Sequence, residues 1–124
     1  MANDLKVTLD ESVTPWVVKI DEKDNANQVA RSAQSQTITW QLNGDAASGT
    51  IQNFIWVNSP PNGIFGDPNY SSNSKSMTMS DLNNSQSTTG EWTYRLEVLL
   101  NGNSYWSGPT SVTGNPTNPS IKNN

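Results

Sequence analysis

The chain has no cysteine and no histidine. That removes thiol nucleophiles, thiolate metal sites and disulfides, together with the usual general base at neutral pH and the commonest metal ligand. Three groupings of side chains keep chemical interest. Asp21, Glu22 and Asp24, with Asn25 and Asn27 beside them, gather oxygen ligands in one stretch, as Ca²⁺ requires. Their spacing lacks the glycine and the closing glutamate of an EF-hand loop, so a solvated polar loop is the favoured reading; no metal and no cofactor is expected. Glu91 and Glu97 flank Arg95 in an extended run. Six residues at ~3.3 Å each put their α-carbons about 20 Å apart, against the ~5–10 Å that glycoside hydrolysis needs. They read instead as surface charges shared with Arg95. Phe65, Tyr70, Tyr105 and Trp106 form the third group, a candidate ligand-binding platform: pyranose faces pack on aromatic rings while Asn and Asp bond the hydroxyls. The competing and weightier reading is that Tyr105 or Trp106 completes a core and Phe65 plugs it. Asn69-Tyr70-Ser71 and Asn83-Asn84-Ser85 match the glycosylation acceptor pattern, a frequent coincidence in a chain this rich in Asn and Ser.

These residues must be positioned by a scaffold of 124 residues, enough for one domain with a real core. Only 32% of the residues are apolar, yet 5 are Trp, 3 Tyr and 2 Phe, so the core is expected to consist of few, large side chains. A buried aromatic removes about 150–250 Å² from water, an upper bound of ~4–6 kcal/mol. The net charge is -4 with only 7 Lys and Arg, scattered along the chain, which argues against nucleic acid and anionic lipid as partners. No apolar run approaches the ~20 residues of a spanning helix, and Met1–Lys6 has no charged start followed by an apolar stretch. The expectation is a soluble protein with no membrane insertion, cytoplasmic unless an export leader has been lost from the sequence.

Short runs with period-two alternation, separated by Gly, Pro, Asn and Ser clusters, predict an all-β protein. Leu5, Val7 and Leu9 share one face of a first strand, and Trp16, Val18 and Ile20 one face of a second. A polar loop over 21–35 follows, with a turn of helix expected around Gln28–Ala33. Ile38, Trp40 and Leu42 define the next strand, closed by the turn Asn43-Gly44-Asp45. Ile51–Asn58 is apolar on both faces, as for a covered central strand or one with a sticky outer face. Segment 58–74 is turn-rich and unusually long, with an edge strand expected near Ile64-Phe65. Met77 and Met79 mark a strand over 75–82, and Trp92, Tyr94, Leu96, Val98 and Leu100 mark the strongest one. Asn101-Gly102 is a tight hairpin signal returning the chain into Ser104–Trp106. Gly108-Pro109 then fits a bulge or edge before Thr110–Thr113. The domain is expected to span 1–113, with 114–124 a frayed tail.

Lys75–Leu82, the polar loop after it and Gly90-Glu-Trp-Thr-Tyr94 resemble the E strand, E–F corner and F strand of immunoglobulin-like domains. The resemblance covers about 37–113. It implies an antiparallel immunoglobulin-like β-sandwich of about seven strands, here without the disulfide: Trp92 stands at the corner position, Tyr94 where that family has its second core Cys, Trp40 opposite, and Trp56 where it often buries a Trp. Fold analogy carries no function. The expected role is a non-enzymatic binding module recognising carbohydrate or protein through segment 58–74. The alternative is a structural or assembly subunit, a homo-oligomer among the options, associating through strand edges.

Overall fold

A computed structural model of the chain describes residues 3–12, 14, 16–21, 26–107 and 119–124. Alternation drives the strands. Along Asn3–Asp10 (β1), Leu5, Val7 and Leu9 are buried while Asp4 and Lys6 face solvent. The same rule orders Val17–Asp21 (β2), Gln36–Leu42 (β4), Ser76–Asp81 (β7) and Gly90–Leu100 (β8). Completing the set are Gln28–Val29 (β3), Thr50–Trp56 (β5), Asn69–Tyr70 (β6), Asn103–Trp106 (β9) and Ser120–Asn123 (β10).

The described residues thus form ten strands rather than about seven. The seven alternating runs are all present; β3, β6 and β10 are additional. β3 and β6 are two residues each, too short for any periodicity. β10 carries only one apolar residue, Ile121, and is fixed by polar bonds instead: Asn27 Nδ2 donates to the Ser120 carbonyl (3.0 Å), Ser120 Oγ to Glu91 (2.6 Å), and Asn123 Nδ2 to Asp81 (3.0 Å) and the Thr88 carbonyl (2.8 Å). Residues 120–123, expected to fray, are therefore an inner strand. The helical turn expected at Gln28–Ala33 is replaced by β3, which runs parallel to β10. The edge strand expected at Ile64-Phe65 is a single bridge, Phe65 to Asp81, with the strand itself at β6. Gly108-Pro109 and Thr110–Thr113 lie outside the described residues.

The strands make two sheets packed as a sandwich, ordered β2-β1-β4-β7-β6 and β3-β10-β8-β5, with β9 also on β8. Both are mixed rather than wholly antiparallel: β1 pairs parallel with β4, and β10 with β3. β1 and β4 can be parallel because the chain between them hairpins through β2 and crosses to the other sheet at β3, the long connection that parallel neighbours need. Asn3 ties the layers where they cross, donating to the carbonyls of Ala26 (2.9 Å) and Gln28 (2.7 Å). Asn101 and Gly102, at φ 53° and 80°, close the β8–β9 hairpin as their residue types predict. Asn43-Gly44 opens a 3-10 turn, Gly44–Ser48, in place of a simple tight turn.

Between the sheets, Trp40 Nε1 donates to the Tyr94 hydroxyl at 2.8 Å, and both residues are wholly buried. Their rings meet edge to face, and Phe54 stacks on Tyr94 with centroids 4.9 Å apart. The core as a whole is not made of few, large side chains as expected: among the described residues its buried hydrophobics are mostly Leu, Val, Ile and Met, with Trp40, Trp92 and Tyr94 the aromatic exceptions. The aromatic cluster nonetheless links the two layers without a disulfide.

Candidate functional site

The two sheets differ at their sides. On one side β2 approaches the end of β9, with a parallel bridge between Val18 and Ser107. On the other, β5 ends its sheet and β6 ends the opposite one, and the chain crosses between them through residues 57–68. β5 is therefore an edge strand with a sticky outer face, Ile55 45% and Val57 52% exposed, and not a strand covered on both faces.

That crossing segment is pinned at several points. Asn58 Oδ1 accepts from both the backbone N–H and the hydroxyl of Thr93, each at 2.7 Å. Ile64 is buried and its carbonyl accepts from the Leu82 N–H (2.8 Å), while the Gly66 N–H donates to the Ser80 carbonyl (3.1 Å). A β-carbon at 66 would meet the Ser80 hydroxyl, which would have to turn aside to admit it. Beyond β6, the Ser74 carbonyl accepts from the Ile51 N–H at 2.8 Å and closes the upper end of the β5 edge.

Between these anchors lies a solvent-open cleft of about 350 Å³. Phe54, Trp56 and Phe65 form its floor, all partly exposed; Trp56 and Phe65 have centroids 4.8 Å apart and tilted 46°, and Trp92 buttresses Phe65 edge-on at 5.6 Å. Pro60, Pro61 and Pro68 stiffen the wall. Ser59, Asn62 and Asp67 line the rim, exposed, and their side chains have no hydrogen-bond partner among the described residues. An apolar floor with convergent, uncommitted polar groups is the usual make-up of a small-molecule site. The lining holds no histidine, cysteine or lysine.

Of the four aromatic residues singled out in the sequence, only Phe65 stands in this cleft. Tyr70 lies on β6, 41% exposed, its hydroxyl pKa raised by burial. Tyr105 pairs with Val98, points inward and stacks on Trp16 at 5.6 Å. Trp106 pairs with Glu97 on the outer face, with the Arg95 guanidinium 5.1 Å from its ring centre. Successive residues of a strand face opposite ways, so Tyr105 and Trp106 belong to different surfaces, and no single platform assembles. Trp56, Phe54, Asn62 and Asp67 are the cleft residues that sequence reasoning passed over; the last two lay inside the segment it singled out.

Glu91, Glu97 and Asn83 are spent on structure. Glu22–Asn25 of the acidic stretch lie outside the described residues, among which no group of three acidic side chains could hold a metal. Glu97 accepts from Asn53 Nδ2 (2.7 Å) and from the Ser104 hydroxyl, and Glu91 from Ser120. Arg95 turns instead to the Ser107 carbonyl (2.9 Å). Asn83 is wholly buried and donates to the carbonyls of Val29 and Asn124, both at 2.9 Å, so its amide is inaccessible to a glycosyltransferase.

Asn83 belongs to a buried polar network under β10. Its Oδ1 accepts from Thr88 Oγ1 (2.9 Å), and Asp81 beside it accepts on Oδ1 from Asn123. Asp81 Oδ2 and Asn123 Oδ1 are buried with no partner. Burial pushes the Asp81 carboxyl up to about 6, against the opposing pull of the Asn123 amide.

No model of a known protein family matches the chain, and no curated protein matches it. No helix among the described residues is long and apolar enough to cross a membrane.

Proposed function

We propose that the chain is a non-enzymatic binding module whose recognition site is the cleft beneath segment 58–74. One observation carries the reading: partly exposed aromatic rings and uncommitted polar side chains converge on an anchored cleft of about 350 Å³. Asn62→Trp tests it, because Asn62 is exposed and a bulky side chain there plugs the cleft without touching the core. Glycan and peptide arrays probed with both proteins should show binding by wild type that the variant loses, at an unchanged melting temperature. Binding that survives the plug places the site elsewhere.

A second reading, assembly through strand edges, is supported by β5. β5 and the two residues after it, Thr50 to Asn58, have no charge and no proline, the devices that normally guard an edge, and Ile55 and Val57 are exposed there. Sedimentation at high protein concentration should then show a dimer that Ile55→Lys dissociates. A strict monomer removes the self-assembly form of this reading.

We also read β4–β9 as an immunoglobulin-like core. The antiparallel pairs β4–β7, β5–β8, β8–β9 and β6–β7 support this, as does the Trp40–Tyr94 pair in place of an inter-sheet disulfide. β1, β3 and β10 are additions to it. If the pair does stand in for the crosslink, substituting Trp40 and Tyr94 singly and together should reveal strong coupling in unfolding free energy; additive effects would count against it.

A further inference from the structure

Resting on the binding reading of the cleft, we infer that its ligand is a neutral sugar residue, packed on Trp56 and Phe65 and hydrogen-bonded to Asn62 and Asp67. The first ground is the mixture of surfaces. A pyranose presents an apolar C–H face and several hydroxyls on one ring, and the cleft presents an aromatic floor and free amide, hydroxyl and carboxylate groups at its rim. A wholly apolar ligand would desolvate Ser59, Asn62 and Asp67 with nothing to bond them.

Charge narrows the class. Asp67 is the one ionisable residue of the lining, and no Lys or Arg stands there to receive a carboxylate, sulfate or phosphate. An acidic sugar would meet a like charge and no counter-charge. A carboxylate is also an acceptor with no donor of its own, suited to bridging sugar hydroxyls. The volume, about 350 Å³, is near the lower end of the ~300–1,000 Å³ of small-molecule sites and suits one or two sugar rings, with the solvent-open mouth leaving room for a longer glycan.

Other occupants use the cleft less fully. An extended peptide pairing along β5 finds the Ile51 N–H already given to Ser74, and on the facing wall Pro60, Pro61 and Pro68 have no N–H to offer. A quaternary ammonium would engage the rings and Asp67 but leave Asn62 and Ser59 without bonds.

The test is an amide NMR titration of the full chain with neutral methyl glycosides (gluco, manno, galacto, xylo and N-acetylglucosamine), with glucuronate, with choline and with a proline-rich peptide. At least one neutral glycoside should give saturable shifts at the Trp56 indole and the Asn62 side-chain amide. Asn62→Ala should weaken it about tenfold, the effect of one lost hydrogen bond. Glucuronate should leave the wild type unshifted and gain binding in Asp67→Asn, which removes the charge and keeps the shape. Both residues are exposed, and unchanged signals from β4 and β8 report that the variants are folded. If no glycoside shifts the cleft signals, or glucuronate binds the wild type as well as the neutral sugars do, the sugar assignment is overturned. The broader cleft reading then rests on the peptide and choline arms. Glycoside shifts confined to residues outside the cleft overturn both.

Discussion

Two buried oxygens with no donor between them, Asp81 Oδ2 and Asn123 Oδ1, make the stability of this protein depend on a single proton. A proton on Asp81 Oδ2 removes an unpaired buried charge, while Asn123 Nδ2 goes on donating to Asp81 Oδ1 at 3.0 Å. The carboxyl titrates at about 6 in the folded chain against 3.8 without its surroundings. The folded state thus keeps a proton that the unfolded state has lost, so the contribution is complete below about pH 4 and is lost as pH rises through about 6. The gap of about 2 units corresponds to at most ~3 kcal/mol over the whole range, and solvent screening reduces it. Between pH 5 and pH 7.5 the share lost is about 1 kcal/mol, or roughly 3–5 °C in melting temperature for a domain of this size. Asp81→Asn removes the charge permanently. It should be more stable than wild type at pH 7.5 by about 1–2 kcal/mol and lack the step near pH 6. Urea unfolding followed by Trp fluorescence at pH 5, 6 and 7.5 measures both. Wild type and variant running parallel across that range would refute the argument.

Tyr94→Phe should cost about 1–3 kcal/mol in urea unfolding, because it leaves the buried Trp40 indole N–H without its acceptor; a loss under about 0.5 kcal/mol would mean that the bond does not form. Gly66→Ala should lower stability by no more than about 1 kcal/mol, the cost of turning the exposed Ser80 hydroxyl aside, and adding Ser80→Ala should restore it. Failure of the second change to rescue the first would put the cause elsewhere than in that contact. Ile121→Ala should cost about 2–5 kcal/mol, as expected for a fully buried side chain, whereas a frayed segment would tolerate it with no measurable change in melting temperature.

Alternation made much of the architecture readable. The inward series Trp92, Tyr94, Leu96, Val98 and Leu100 of β8 and the pair Ile38, Trp40 of β4 announce both their strands and their buried faces. Asn101-Gly102 announces its hairpin because few residue pairs accept two consecutive positive φ angles. β10 escaped for a physical reason: Ser120 and Asn123 are held through side-chain bonds, and Lys122 through its backbone N–H to the Asn27 carbonyl, with partners far away in sequence, which no local pattern encodes. Pairing direction escaped likewise, since β1 looks the same beside a parallel or an antiparallel neighbour. At the cleft, the length and turn residues of 58–74 pointed to the segment that supplies most of its lining. Phe54 and Trp56 did not stand out, because an inward-facing ring reads alike whether the sandwich closes over it or stops short. Tyr105 and Trp106 could have been separated from sequence alone, as neighbours on a strand.

The position of β10 also sets the order of events in folding. It sits between β3 and β8, yet Ser120 lies 93 residues after its partner Asn27. Contacts of such long range are slow to form, because the closure entropy of the loop must be met before any pairing offsets it. On the ribosome, which delivers about 5–20 residues per second, β8 emerges well before β10. For seconds the edge of β8 from Gly90 to Thr93 has no neighbour, and β3 has nothing to pair with. Nascent chains stalled before Ser120 should accordingly be protease-sensitive, and chaperones that shield bare strand edges would act in that interval. A late strand with a single apolar residue, Ile121, held otherwise by backbone pairing and by asparagine and serine side chains, adds little sticky surface of its own while it waits.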